Sequence, residues 1–176
     1  DVKEIDLSKN KIQEVRLLAP LLVKSTRLET LNLATNKIRD AGLTALAVII
    51  DDGAAPLLER IDLSANNFGV AGAKALTESL QAHQALTSLN LDGCALPIKQ
   101  LKGTDAVPEL DLSGKGKELG IASGIAIARC IEVNGNCALT SVGAGGLDLR
   151  GNDIREEGWG AIVAGVCANS ASKISS

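Results

Sequence analysis

The 176-residue chain has almost no aromatic side chains: Phe68, Trp159 and no Tyr. Hydrophobic residues still make up 45% of it, so Leu, Ile, Val and Ala must fill the core. Thin aliphatic layers of this kind suit a stack of similar units better than one irregular core. There is no excess of base. The net charge is −3, and no basic stripe with interleaved aromatics occurs, which argues against general nucleic-acid binding. There is no apolar run of about 18 residues, so no membrane-spanning helix is expected. Met is absent and the first residues, Asp1-Val2-Lys3-Glu4, are not a signal peptide. The chain therefore reads as a fragment or a processed form.

The four cysteines, Cys94, Cys130, Cys137 and Cys167, form no CxxC pair, and the single histidine, His83, lies far from them. No metal site is expected from these spacings. A disulfide from Cys137 to Cys130 or Cys167 is one reading. Free thiols in a reducing, intracellular and cytoplasmic setting are the other.

What the chain does have is a repeated phrase. It occurs at 2–12 (VKEIDLSKNKI), 28–38 (LETLNLATNKI), 58–68 (LERIDLSANNF), 86–96 (LTSLNLDGCAL), 107–116 (VPELDLSGKG) and 147–154 (LDLRGNDI). Each copy sets two apolar residues around one polar residue: Ile5/Leu7, Leu31/Leu33, Ile61/Leu63, Leu89/Leu91, Leu110/Leu112 and Leu147/Leu149. That alternation is the period of a strand with one buried face. A short strand from each copy is expected to pair in parallel with the next.

The stretches between are helical in pattern. Gly42 to Ala47 and Gly72 to Leu76 open two helices. Ile121, Ile125 and Ala128 share a face, and Trp159, Ile162, Val163 and Val166 make one apolar stripe. Pro20 should shorten or kink the first helix. Equivalent strand residues are 26, 30, 28, 21 and 37 positions apart. The fourth unit is short: 95–105, with Pro97 and Gly103, replaces a full helix. The last carries an excess, because 139–142 (LTSV) already resembles the start of a strand, with Gly-rich 143–146 following.

The phrase resembles the leucine-rich-repeat consensus LxxLxLxxNxL over nearly the whole chain, and a period near 28 is similar to the ribonuclease-inhibitor subclass. The resemblance implies an α/β solenoid, a curved right-handed horseshoe with parallel strands on the concave side and helices on the convex side. About six repeats are expected, near 2–27, 28–57, 58–85, 86–106, 107–138 and 139–168, in one domain over 1–168 followed by a polar tail at 169–176. It also implies a ladder of inward-turned side chains at Asn10, Asn36, Asn66, Cys94 and Asn152 that satisfies backbone groups of neighbouring repeats. Lys115 departs from that pattern.

Residues pointing away from the core on such strands would form the concave face. Its columns hold Glu4, Asp6, Glu29, Asn32, Glu59, Arg60, Asp62, Asn90, Asp92, Glu109, Asp111, Asp148 and Arg150. Counting four columns, with Lys3, gives nine acids and three bases, a net of −6 against −3 for the whole chain. Two readings stand. Small polar Asp and Asn suit tight strand spacing in this family, and clustered acid also suits a basic protein partner.

Other features look chemical and have simpler accounts. Ser113-Gly114-Lys115-Gly116-Lys117 lacks the full phosphate-loop pattern, since Gly follows Lys115. Asp51-Asp52 ends an apolar helix, Glu156-Glu157 opens another, and His83 reads as a solvated loop residue. No catalytic constellation and no cofactor are expected.

The expected function is a non-catalytic protein–protein interaction module, a scaffold or assembly subunit binding a basic protein. Regulation of a small GTPase in the manner of Ran GTPase-activating proteins, or ligand sensing or inhibition, are the alternatives. Neither nucleic acid nor membrane insertion is expected. The first strand starts directly on a repeat, so self-association or a larger complex through uncapped ends is expected.

Overall fold

The structure is a computed structural model, and it describes residues 2–81, 83–114, 119–134, 141–143 and 146–169. The repeated phrase forms short strands: β1 (Glu4–Asp6), β2 (Thr30–Asn32), β3 (Arg60–Asp62) and β4 (Ser88–Asn90). These four pair in parallel in chain order, with Ile5, Leu31, Ile61 and Leu89 in register. Leu31, Leu33, Leu63, Ile61 and Leu89 are all nearly inaccessible to solvent, while the residues between them face outward. The two-residue period of the sequence is thus the burial pattern of the sheet.

A second set of elements packs on the buried side. Pro20 stands at the start of the six-residue α1 (Ala19–Lys24), after a 3-10 turn over Val15–Leu18. A proline is tolerated in a first helical turn and not further in, which accounts for the broken first helix. The longer helices are α2 (Arg39–Asp51), α3 (Val70–Ser79), α5 (Ile121–Glu132) and α6 (Arg155–Ala168). They pack in the order α2, α3, α5, α6. Close contact is made through small residues: a β-carbon on Gly72 would lie 2.7 Å from Asp40 Cα, and one on Gly165 would lie 2.5 Å from the Ala128 carbonyl oxygen.

Strands β1 to β4, and the last repeated phrase near residue 150, are each followed by a left-handed turn. The residue before each ladder position has positive φ: Lys9 (60°), Thr35 (56°), Ala65 (56°), Gly93 (110°) and Gly151 (72°). This turn directs the next side chain inward. Asn36 Oδ1 accepts from Asn10 N–H (3.0 Å) and Ile12 N–H (2.9 Å), and its Nδ2 donates to Leu7 O (2.9 Å) and Leu33 O (2.8 Å). Asn66 Oδ1 accepts from Ile38 N–H at 3.2 Å, and its Nδ2 donates to Leu33 O and Leu63 O. Asn152 Oδ1 accepts from Leu119 N–H (2.9 Å) and Nδ2 reaches Leu112 O (2.7 Å).

Two expectations need correction. The strands do not continue as one parallel series. After β4 the chain turns back as β5 (Ala95–Pro97), which pairs antiparallel to β4, and β6 (Leu110–Asp111) pairs with β7 (Leu147–Asp148) in a separate two-stranded sheet. The reason lies in the short fourth repeat. With only the four-residue α4 (Ile98–Leu101) behind it, β4 has no full crossover to a parallel successor. Cys94 also forms no rung among the described residues. The turn there is made by Asn90, whose Oδ1 accepts the Gly93 N–H at 2.8 Å. Lys115 lies outside the described residues, as do Cys137, Leu139 and Thr140, the Gly-rich 144–145 and the tail 170–176. Val142 forms a parallel bridge to Leu147.

Candidate protein-binding face

The outward face of the strands carries most of the residues read from the sequence. Glu4, Asp6, Glu29, Asn32, Glu59, Arg60, Asp62 and Asn90 lie on or beside the five-stranded sheet. Glu109, Asp111, Asp148 and Arg150 lie on or beside the two-stranded one. The break between β4 and β6 therefore divides the acidic columns into two groups.

The Asp/Asn column has a local structural role. Asp6 Oδ1 accepts the Ser8 N–H (2.8 Å), Asn32 Oδ1 that of Ala34 (3.0 Å), Asp62 Oδ1 that of Ser64 (2.9 Å), Asp111 Oδ1 that of Ser113 (3.0 Å) and Asp148 Oδ1 that of Arg150 (3.1 Å). These short side chains mimic a backbone turn at the end of each strand. The Ser8 N–H holds the Asp6 carboxyl below its ordinary range.

The three bases on the face are held by its own acids. Lys3 Nζ meets Glu29 Oε1 at 2.6 Å, Arg60 meets Glu59 at 3.5 Å and Thr30 Oγ1 at 3.1 Å, and Arg150 donates to both Asp148 oxygens at 2.9 and 2.7 Å. Arg150 covers Asp148, which is only 9% exposed, and so removes that carboxylate from the open surface. Hydrogen bonds from Arg150 hold the Asp148 carboxyl low, and one from Lys3 does the same for Glu29. Along β1–β4 the column alternates Asp6, Asn32, Asp62, Asn90, and Asn90 Nδ2 donates to Asp62 Oδ2 at 3.2 Å. No two acids face each other there.

Asp92 does not join this face. Its Oδ2 accepts the Gly120 N–H (3.0 Å) and the Ser123 N–H (2.8 Å), closing the N-terminus of α5. It lines an open groove of about 470 Å³ with Phe68, Ile121, Asp153 and Arg155. Sequence reasoning missed this groove. The irregular spacing around the fourth repeat was its available signal, since residues of the third to sixth copies line the groove together.

Several other residues differ from expectation. Ile162 is buried, but Trp159 (38%) and Val163 (60%) of the same stripe are exposed, because α6 is the last described layer. His83 is half-buried and its Nε2 donates to Ala55 O at 3.2 Å, since its loop folds against the preceding one. Lys102, half-buried, donates to Leu80 O (3.0 Å) at the C-terminus of α3, and desolvation lowers its pKa. Cys94, Cys130 and Cys167 are free thiols, and burial pushes Cys130 up to about 11. Gly114, in the phosphate-loop-like stretch, continues the sheet ladder through its N–H to Arg150 O (2.8 Å), while 115–117 lie outside the described residues. Among the described residues, no group of three or more metal-ligating side chains is gathered. No described helix is long and apolar enough to cross a membrane.

Comparison with known proteins bears on this geometry. A family model described as Leucine Rich repeat matches residues 24–47 and 51–76, the segments spanning β2, α2, β3 and much of α3. The chain is also similar to RAN GTPase-activating protein 2 of Arabidopsis thaliana, with 32% identity over 82 residues. That match covers 47% of this chain and 15% of the relative, so the chain corresponds to a small part of that protein's length.

Proposed function

We propose that this chain of leucine-rich repeats is a non-catalytic binding module whose outward strand face receives a basic segment of another protein. One observation carries the reading. All three bases in the acidic columns are drawn into pairs with neighbouring acids, and the columns without Asp92, eight acids against three bases, still sum to −5. Such a field attracts and orients a basic partner and repels nucleic acid. The apolar–polar–apolar strands provide a rigid support, so little ordering cost falls on this side of the complex. A curved horseshoe of the ribonuclease-inhibitor kind, a scaffold or assembly role, an intracellular, cytoplasmic setting and larger assembly through the ends of the stack belong to the same reading.

The test separates charge from structure. Asp62→Asn with Asp111→Asn retains an oxygen for the Ser64 and Ser113 N–H groups and removes two charges. Binding to a polylysine-rich probe peptide should weaken several-fold at low salt and lose part of its salt dependence. Unchanged affinity, with unchanged unfolding midpoint, removes the face from consideration.

A second reading rests on the similarity to the Arabidopsis Ran GTPase-activating protein: the module regulates a small GTPase by holding it. Single-turnover GTP hydrolysis by a Ran-type GTPase, with and without this chain, decides it. Acceleration supports the reading, and an unchanged rate at saturating chain excludes it.

A further inference from the structure

We propose that the groove between the 52–58 and 80–87 loops receives an aliphatic side chain flanked by Lys or Arg, from a segment of a basic protein partner. The groove carries its own acids, so this inference goes beyond the strand face and is decided apart from it.

Two successive repeats build the groove. α2 ends at Asp51 and α3 at Ser79, and each is followed by a loop that leads back into a strand. An open groove of about 520 Å³ runs between the loops, lined by Ile50, Pro56, Leu57 and Ala85 with Asp51 and His83. Ile50 is buried, whereas Leu57 is 50% exposed. A single exposed Leu is ordinary. Leu57 differs because it shares a groove with other apolar side chains, and because the equivalent residue of the preceding repeat is Arg27. Gly53, also in the lining, has φ 84°, and a β-carbon there would meet no heavy atom within 4 Å, so the space beside it is open.

The loops are held in place before anything binds. Gly53 N–H donates to Ile50 O (2.9 Å), Ala54 N–H to Ile49 O (3.3 Å) and Leu58 N–H to Ala55 O (3.0 Å). Ala55 takes a left-handed φ of 48°, and its carbonyl also accepts from His83 Nε2 at 3.2 Å, which ties one loop to the other. A preformed groove costs little ordering on binding.

Charge selects the occupant. Residues 50–59 hold Asp51, Asp52 and Glu59, residues 79–88 hold no acid, and neither stretch has a Lys or Arg. Asp51 and Asp52 are exposed at the C-terminal end of α2, whose last turn has no base. The negative pole of a helix disfavours acids there and favours a cation. Neither acid makes an ion pair among the described residues. Lys102, which touches the second loop, is spent on the Leu80 and Gln81 carbonyls, and Arg27 in the loop before β2 helps to hold the Glu29 carboxyl low. His83 adds an acceptor: with Nε2 donating to Ala55 O, Nδ1 has no hydrogen-bond partner among the described residues. The acids, the helix C-terminus and the unmet acceptor call for donors on the ligand. The apolar lining calls for a short aliphatic side chain between them.

The test is an NMR titration of the ¹⁵N-labelled chain with two synthetic peptides, KGKLKGK and KGKSKGK. Amide shifts are expected at Gly53, Leu57, Gln84 and Ala85, with the Leu peptide binding several-fold more tightly. Leu57→Ser should make the two peptides equal. Asp51→Asn with Asp52→Asn should weaken both several-fold at low salt and keep the preference for Leu, and it decides the matter even if Leu57→Ser loosens the loop. Unchanged affinity in that variant overturns the proposal. So does equal binding of the two peptides to the parent chain, or a neutral GGGLGGG peptide binding as tightly as KGKLKGK. Shifts confined to β1–β4 overturn it and leave the strand face standing; no shift at millimolar peptide overturns it as well. Loop shifts and a preference for Leu that persist in Asp62→Asn with Asp111→Asn support the groove, whatever becomes of the strand face.

Discussion

Asp92, in the turn after β4, closes the N-terminus of α5 by accepting the Gly120 N–H at 3.0 Å, 28 residues further along. Asp40 does the same for α3 through the Gly69 N–H at 2.6 Å, 29 residues further along. The two acids stand at different places in their repeats, since Asp40 belongs to the first turn of α2 and Asp92 follows a strand. α5 thus receives a cap from the strand side because no full fourth helix exists to supply one.

Replacing Asp92 with Ala should therefore lower stability by about 1–2 kcal/mol, the usual effect of losing an N-cap. Asp92→Asn, which keeps an acceptor, should lose less. Urea unfolding followed by circular dichroism checks both, and an Ala variant as stable as the parent would show that Gly120 and Ser123 find other partners.

Asn66 is 1% exposed and joins four backbone groups in two repeats. Asn66→Ala strands those groups without solvent, with an expected loss of about 2–4 kcal/mol. Asn10→Ala should cost under about 1 kcal/mol, because its side chain is exposed and makes one local bond. Comparable losses at the two sites would contradict the ladder as drawn.

The thiols should react in order of exposure. Cys167 is exposed and should be alkylated first at pH 8, whereas Cys130, buried and with its pKa pushed up to about 11, should be modified only on unfolding. Peptide mapping after brief iodoacetamide treatment reads the order directly.

Acid should weaken the two-stranded sheet. Arg150 depresses the Asp148 carboxyl below the ordinary 3.8, so its contribution is whole above that value and fades as pH falls through the lower native value. Asp6, held down by the Ser8 N–H, titrates in the same sense. Asp148→Asn should flatten the stability profile on the acid side of the ordinary carboxylate value of 3.8. An unchanged slope there would mean that other carboxylates govern the acid limb.

Much of the fold was legible in the sequence. The spaced pairs from Ile5/Leu7 to Leu147/Leu149 carry the strand period, and Pro20 marks the broken first helix, because both are local consequences of side-chain geometry. The irregular fourth repeat was visible as a spacing of 21, but its outcome was not. Whether β4 would meet β6 or fold back onto β5 depends on how far α3 and α5 approach each other, and no window of sequence contains both helices and that distance. Trp159 shows the same limit. Its helical stripe reads as core, yet a core residue needs a further layer to cover it.

The candidate face divides likewise. The sequence alone determined that acids recur in one column with strand period, since that column is set by two-residue alternation along a single segment. Only the tertiary structure decided which acids remain outward. Asp148 is covered by Arg150, Asp92 is taken by α5, and Glu29 is tied to Lys3. The last two joins span 26 to 28 residues and form only once repeats stack; that of Asp148 is local in sequence, but it depends on the rotamer that the strand end imposes on Arg150.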